Sequence, residues 1–246
     1  MFHFSLSSSL NNDIPRMTTL FIATRNAHKV QEIRSILGGT FGYLTLNDIP
    51  TAPAVVEDVN TFAGNATKKA VQLARWLASE ISNAEYRFSN PAFVLADDSG
   101  LEVDALHGAP GVHSARFAAN SGTANSPDAA NNAKLLQLLA NIPLEKRIAR
   151  FRCVLALTPI LEPAVDRSSP VYGANEFELQ TELFEGVCEG WVGFCSSGHG
   201  GFGYDPLFLP AGFNQTFSEL GETTKNQLSH RSMALTKLKP RLEQLC

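Results

Sequence analysis

Residues 96–111 read ADDSGLEVDALHGAPG and set two carboxylates, Asp97 and Asp98, side by side after the apolar run AFVL. Adjacent like charges raise each other's cost of ionisation unless a cation or strong donors compensate. Mg²⁺ is a hard cation that takes carboxylate and phosphate oxygens together, so one aspartate could ligate the metal while the other accepts a proton from an attacking water. Glu57 and Asp58, further up the chain, are candidate additional ligands or outer groups. The plainer alternative is an Asp-Ser-Gly turn with solvated carboxylates.

Three other stretches carry chemistry of a compatible kind. In TRNAHK, Thr24, Asn26 and Lys29 stand at a strand-to-helix junction, where free backbone N–H groups and the helix dipole favour a phosphate. The same residues also suit an ordinary helix start, with Asn26 as N-cap and Lys29 in solvent. In GHGGFGYDP, the glycines permit close approach, Phe202 and Tyr204 offer flat surfaces to a planar base, and Asp205 offers an acceptor. A glycine-rich hairpin with aromatics in the core fits as well. In KNQLSHR, Lys225, His230 and Arg231 can donate to base carbonyls or to phosphate, although a single histidine is commonly structural. GAPGVHSAR, with Ser114 and Arg116, reads as a turn. Taken together, the four stretches ask for a cation-dependent site that holds a phosphate chain at one end and a flat ring at the other, which describes a nucleoside triphosphate.

The elements that must position these groups follow from periodicity. TLFIA from Thr19 reads as a buried strand, and Val30, Ile33, Ile36 and Leu37 follow at helical spacing until Gly38 and Gly39 stop them. A second helix spans about 61–81, with Phe62, Ala66, Ala70, Leu73, Leu77 and Ile81 on one face and Lys68, Lys69 and Arg75 mostly elsewhere. AFVLA at 92–96 predicts a strand buried on both faces and ended by the aspartates. Ser126, as N-cap, and Pro127 open a third helix through Leu139. Period-two alternation predicts strands at 148–158 and 176–183, separated by a proline-rich surface excursion. A last helix runs from Ser229, with Pro240 either kinking it or starting a new short helix. Early alternation of strands and helices followed by antiparallel signals predicts a mixed α/β sheet with flanking helices.

The chain has 246 residues, is 44% hydrophobic, and carries a net charge of −4. That length can bury a sizeable core, and the acidic balance argues against a protein that coats nucleic acid or a membrane surface. No apolar run approaches the roughly 20 residues that span a bilayer. Cys153, Cys188, Cys195 and Cys246 lack metal-ligand spacing and read as small buried hydrophobes in a reducing, cytoplasmic setting, with no disulfide expected. Residues 1–16 lack the marks of a signal peptide and read as a flexible extension before a single domain at 17–246.

The order of motifs resembles the inosine/xanthosine triphosphate pyrophosphatase (Ham1-like) family. The matching segments are T-x-N-x-x-K, E-x-x-x-TF-x-x-NA, ADDSGL-x-VDAL-x-GAPG-x-x-SAR, GGFGYDP-F, and TF-x-EL with K-x-x-x-SHR, and they run from Leu20 to about Leu238. The resemblance implies an elongated two-lobed α/β unit around a nucleotide cleft, usually a homodimer. It implies hydrolysis of ITP, dITP and XTP to the monophosphate and pyrophosphate with Mg²⁺. Residue by residue, it assigns Asp98 as general base with Asp97 and Lys69 in the same cleft, and the metal to Glu57 with Asp97 or Asp98. Thr24, Asn26 and Lys29 would take the triphosphate. Ser99, Phe202, Gly203, Tyr204, Asp205, Lys225, His230 and Arg231 fall on the nucleotide-binding positions. The competing expectations are a pyrophosphatase of other modified nucleotides and a nucleotide-binding protein without catalysis. The chain departs from the family pattern at Gly64, where a glutamate is usual, and at Val56, usually acidic; Asp58 could compensate.

Overall fold

The computed structural model describes residues 17–82, 91–119, 124–161 and 176–245. The expected extension at 1–16, most of the proline-rich excursion, Cys246 and the side chain of Ile81 lie outside them.

Six strands form one sheet in the order β2-β1-β3-β4-β5-β6. β1 (Thr19–Ile22) pairs in parallel with both β2 (Gly42–Thr45) and β3 (Ala92–Val103). β3, β4 (Ile148–Pro159), β5 (Glu182–Val192) and β6 (Phe208–Pro210) then pair antiparallel. The sheet is therefore mixed, with helices on both faces, as the sequence predicts.

Helix α1 (Ala27–Leu37) carries the chain from β1 to β2 on one face of the sheet, where Ile33 and Leu37 pack with Leu20, Ile22 and Leu95. Helix α2 (Phe62–Ser82) returns it from β2 to β3 on the other, where Ala66, Ala70, Leu73 and Leu77 pack with Phe21, Val94 and Ala96. β1 is thus buried on both sides, which is why Leu20, Phe21 and Ile22 read as an unbroken apolar run. The chain moves outward from β1 to β2 through α1 and then back past β1 to β3 through α2, and a crevice at the carboxyl ends of strands where the direction of connection reverses is where open α/β sheets bind ligands.

Several sequence expectations need correction. The aspartates do not end a strand, because β3 continues through them to Val103. What ends there is the neighbour: the last β1–β3 register pair is Ile22 with Leu95, and Ala23 N–H closes the ladder on Leu95 O at 2.9 Å. Beyond that point one edge of β3 opens into a crevice. The expected strand at 176–183 is a single helical turn, α4 (Glu176–Leu179), with β5 starting only at Glu182. Thr181 Oγ1 donates back to Phe177 O at 2.6 Å, and Phe177 packs beside the α2 core, so the local turn outcompetes the alternating pattern.

Helix α3 (Asp128–Leu138) has Pro127 rather than Ser126 at its N-cap, with no side-chain capping bond. Helix α5 (Phe217–Leu228), closed by a capping box between Thr216 and Glu219, was not visible in the periodicity. Helix α6 (His230–Leu245) keeps its helical assignment through Pro240 and starts hard against β5. A Cβ at Gly186 would fall 1.9 Å from His230 O, so only glycine lets the two elements meet. Cys153 and Cys188 are buried free thiols as expected, whereas Cys195 is exposed.

Candidate active site

The turn after β1 holds the first group of residues. Asn26 Oδ1 caps α1 by accepting from His28 N–H at 3.0 Å and Lys29 N–H at 3.2 Å. Thr24 Oγ1 accepts from Asn26 N–H at 3.1 Å. The N-cap reading is therefore correct, but Lys29 is not in solvent. It turns inward and pairs with Asp97.

Asp97 and Asp98 are both buried, yet they point to opposite faces of the sheet because strand side chains alternate. Asp97 lies on the α1/α6 face. It accepts from Lys29, from Arg231 Nε at 2.8 Å, from Ser99 Oγ at 2.7 Å and from Cys153 Sγ at 3.3 Å. Burial alone would raise its pKa, but Arg231 and Lys29 hold the carboxyl well below the usual carboxylate range. Arg231 also pairs with Glu32, whose other oxygen accepts from Lys225 Nζ at 2.8 Å, and Lys225 in turn pairs with Asp205. Lys29, Lys225 and Arg231 thus face Glu32, Asp97 and Asp205 in a network without net charge. Glu32 belongs to this site and escaped the sequence reading. On an amphipathic helix it resembles any surface glutamate, and only its position three residues after Lys29 hints at a shared face.

Asp98 lies on the α2 face. Its Oδ1 accepts from Lys69 Nζ at 3.2 Å, and Lys69 also donates to Asp97 O at 2.7 Å and approaches Glu57 Oε1 at 3.5 Å. Asp98 Oδ2 is buried and has no hydrogen-bond partner. Burial pushes the Asp98 carboxyl above its ordinary value despite Lys69 and Lys29. Lys69 is held charged, because Asp98 and Glu57 outweigh its burial.

Glu57 reaches this corner on a loop stapled at two points. Arg116 Nη2 donates to Glu57 O at 3.1 Å, and Val59 N–H donates to Asn65 Oδ1 at 3.0 Å. Gly64 makes room for the loop, since a Cβ there would lie 2.3 Å from Val59 Cγ1. Asp58 turns away from Asp98 and pairs with Lys68 at the surface. Asp98 and Glu57 form a two-carboxylate set, and among the described residues no cluster of three or more His, Cys, Asp or Glu could hold a metal.

The other end of the cleft is a cavity of about 160 Å³. Asn26, Lys29, Ser99, Phe202, Gly203, Tyr204, Asp205, Lys225, His230 and Arg231 all line it, so ten of the predicted residues converge on one space. Their roles differ from first expectation. The Phe202 ring stacks with His28 at 5.2 Å between centroids, and Lys225 Nζ lies 4.3 Å over it. Tyr204 is a buried wall residue whose hydroxyl donates to Ser114 O at 2.9 Å, so its ring serves the core first. Asp205 accepts from Phe202 N–H at 2.8 Å and shapes the loop; burial raises its pKa against the pull of Lys225. His230 is buried and stacked on Phe151 at 4.7 Å, with Nδ1 lacking a partner. Burial, Arg231 and Lys225 all keep its pKa well below the ordinary value, so the imidazole is neutral.

The structure therefore sets a cavity lined by polar and aromatic groups beside a corner of carboxylates and lysine, with Lys29 lining the cavity and pairing with Asp97, the neighbour of Asp98. The model of the Ham1 family matches residues 20–241. The dITP/XTP pyrophosphatase of Desulforamulus reducens is 44% identical over 220 residues, covering 89% of this chain and 92% of that protein. That of Geobacter sulfurreducens is 44% identical over 227 residues, covering 92% and 97%. Among solved structures, a HAM1 protein from Coxiella burnetii aligns with a TM-score of 0.71 at 30% identity, covering 93% of this chain and all of that one (100%). Nearly the whole length of the chain is accounted for by one kinship: it belongs to the Ham1 family.

Proposed function

We propose that this chain hydrolyses the non-canonical purine nucleoside triphosphates ITP, dITP and XTP to monophosphate and pyrophosphate, with Asp98 as general base and Mg²⁺ as cofactor. The observation that carries the reading is Asp98 Oδ2, a buried carboxylate oxygen with no partner, on the strand that also carries Ser99 into the cavity. Leaving such an oxygen unsatisfied costs about 1–3 kcal/mol, which a stability role would not sustain. The relatives named above carry the substrate class in their names.

The residues present fit a magnesium ion. Asp98 Oδ2 is orphaned, Glu57 stands across Lys69 from it, and hard oxygen donors of this kind suit Mg²⁺. Asp98 and Glu57 would hold it, and when bound it neutralises phosphate oxygens. The chain's own groups do the rest. The α1 N-terminus and Lys29 receive phosphate, with Lys69 supplying charge beside Asp98. Asp98 takes the proton of the water that attacks the α-phosphorus, and pyrophosphate leaves.

At the base end, Phe202 offers a stacking surface. The Arg231 guanidinium already serves Asp97, Glu32 and Ser99, so it orients the wall more than it reads the base. Reading the 6-oxo edge falls to neutral His230, in the tautomer whose ring nitrogen facing the base carries the proton: it donates to a carbonyl but meets the amino group of adenine as a second donor. A homodimer in the cytoplasm belongs to the same proposal on family resemblance; light scattering checks the dimer. Among the described residues no helix is long and apolar enough to cross a membrane.

The test is pyrophosphate release with Mg²⁺ from ITP, dITP and XTP against ATP, GTP and UTP at matched concentrations. Release mainly from the first three, with the monophosphate as co-product, is expected. Preference for UTP would favour a pyrophosphatase of other nucleotides, and binding without release would favour a nucleotide-binding protein.

A further inference from the structure

Gly203, directly after Phe202, has both of its backbone polar groups held by helix α3. Asp128 Oδ2 accepts from Gly203 N–H at 2.7 Å, and Asn132 Nδ2 donates to Gly203 O at 3.0 Å. The two residues are four apart on one helix and so share a face. The preceding Phe202 N–H is taken by Asp205 within the same loop, so this loop is braced from inside at Phe202 and from α3 at Gly203. Asp128 is exposed on α3 while also lining the cavity, whereas Asn132 is buried. The carboxylate has no ion pair among the described residues; its one hydrogen bond goes to the loop that carries the aromatic wall.

We propose that Asp128, backed by Asn132, is a positioning residue for the nucleobase: the α3 clamp on Gly203 fixes the Phe202 ring in the orientation against which a purine stacks. The inference rests on the reading of Phe202 as the base wall. It follows that α3, which contributes nothing to the carboxylate corner, sets affinity for the base without touching the phosphates. Stacking does not distinguish one purine from another, so the effect is common to all purine triphosphates.

The experiment compares KM and kcat for ITP, together with the inhibition constant for inorganic tripolyphosphate, in Asp128→Ala, Asp128→Asn, Phe202→Ala and the Asp128→Ala/Phe202→Ala double variant. The expected result is a KM for ITP raised about five-fold in Asp128→Ala, the scale of one net hydrogen bond, with kcat within about two-fold. Tripolyphosphate inhibition stays at the wild-type value. Asp128→Asn, which keeps an acceptor oxygen, recovers the wild-type KM, and Asp128→Ala adds nothing in the Phe202→Ala background. An unchanged KM in Asp128→Ala, an equal weakening of tripolyphosphate, additive effects in the double variant or failure of Asp128→Asn to recover would each overturn the proposal. If Phe202→Ala itself leaves KM unchanged, the base-wall reading falls and takes the proposal with it. A strong Phe202 effect beside a silent Asp128→Ala sinks the proposal alone.

Discussion

The two faces of β3 treat neighbouring aspartates in opposite ways. On the α1/α6 face, Asp97 is saturated: two cations, a hydroxyl and a thiol converge on it, and its carboxyl is held ionised. On the α2 face, Asp98 has one lysine on one oxygen and nothing on the other, and its proton affinity is raised. One step along a strand thus separates a fully partnered carboxylate from one with an oxygen left unmet. A buried charge is tolerated when every lone pair is met; one incompletely met needs a ligand to justify its burial.

The comparison breaks most sharply at Asp98. Asp98→Asn should cut pyrophosphate release by about 10²–10⁴-fold, the range of a lost general base, while leaving the melting temperature unchanged or raised, because a desolvated charge disappears. Near-normal turnover would move the base elsewhere. Asp97→Asn should do the reverse in emphasis. It strips Arg231 and Lys29 of their partner and should destabilise the fold by about 3–5 kcal/mol, read from denaturant unfolding. A stability loss no larger than that of Asp98→Asn would erase the distinction between the faces.

The pH dependence of stability sharpens the same contrast. His230 has a folded pKa depressed below its ordinary 6.5, so the unfolded chain binds the extra proton and stability falls as the pH drops below about that value. Asp97 is depressed below 3.8, so its contribution is fully present above that pH and is lost only as the pH falls well beneath it. Unfolding followed by circular dichroism should therefore show a shallow decline first and a steep one later; a single steep loss near neutrality would contradict both assignments. The smallest effect should be His230→Ala, which weakens the preference for ITP over ATP by about ten-fold or less, the scale of one hydrogen bond to a base edge, while pyrophosphate inhibition is unaffected. Equal loss with both nucleotides would mean that His230 reads phosphate.

Much of this arrangement was legible in the sequence where chemistry and periodicity agreed. The α1 stripe with Asn26 at its cap, the α2 face and the run TLFIA all rest on local rules that the fold obeys. The residues of GFGYDP and SHR could be tied to one cavity because their motif order resembles a known family. The failures share a cause, which is that tertiary context decided them. AFVLADDSG reads as a strand that stops at charge, because a single sequence does not show that β1 ends beside it and opens a crevice. EFELQTEL alternates correctly for a strand but closes a local turn against α2. Gly221, at φ 77°, interrupts α5 and hides its period. Glu32, Asp128 and Asn132 sit on helices where polar residues are ordinary, and only their partners, 199, 75 and 71 residues away, reveal them. Asp58, offered as a substitute ligand, is drawn off by Lys68.

Arg231 meets Asp97 across 134 residues and Glu32 across 199. During synthesis the amino-terminal portion, with β1, α1 and β3, emerges long before its guanidinium partner exists. Until α5 and α6 dock, the acidic groups of the α1 face have Lys29 but neither Lys225 nor Arg231 to neutralise them, and the cavity lacks the wall that His230 provides. A chain that lacks α5 and α6 therefore lacks three of the side chains that line the cavity, Lys225, His230 and Arg231.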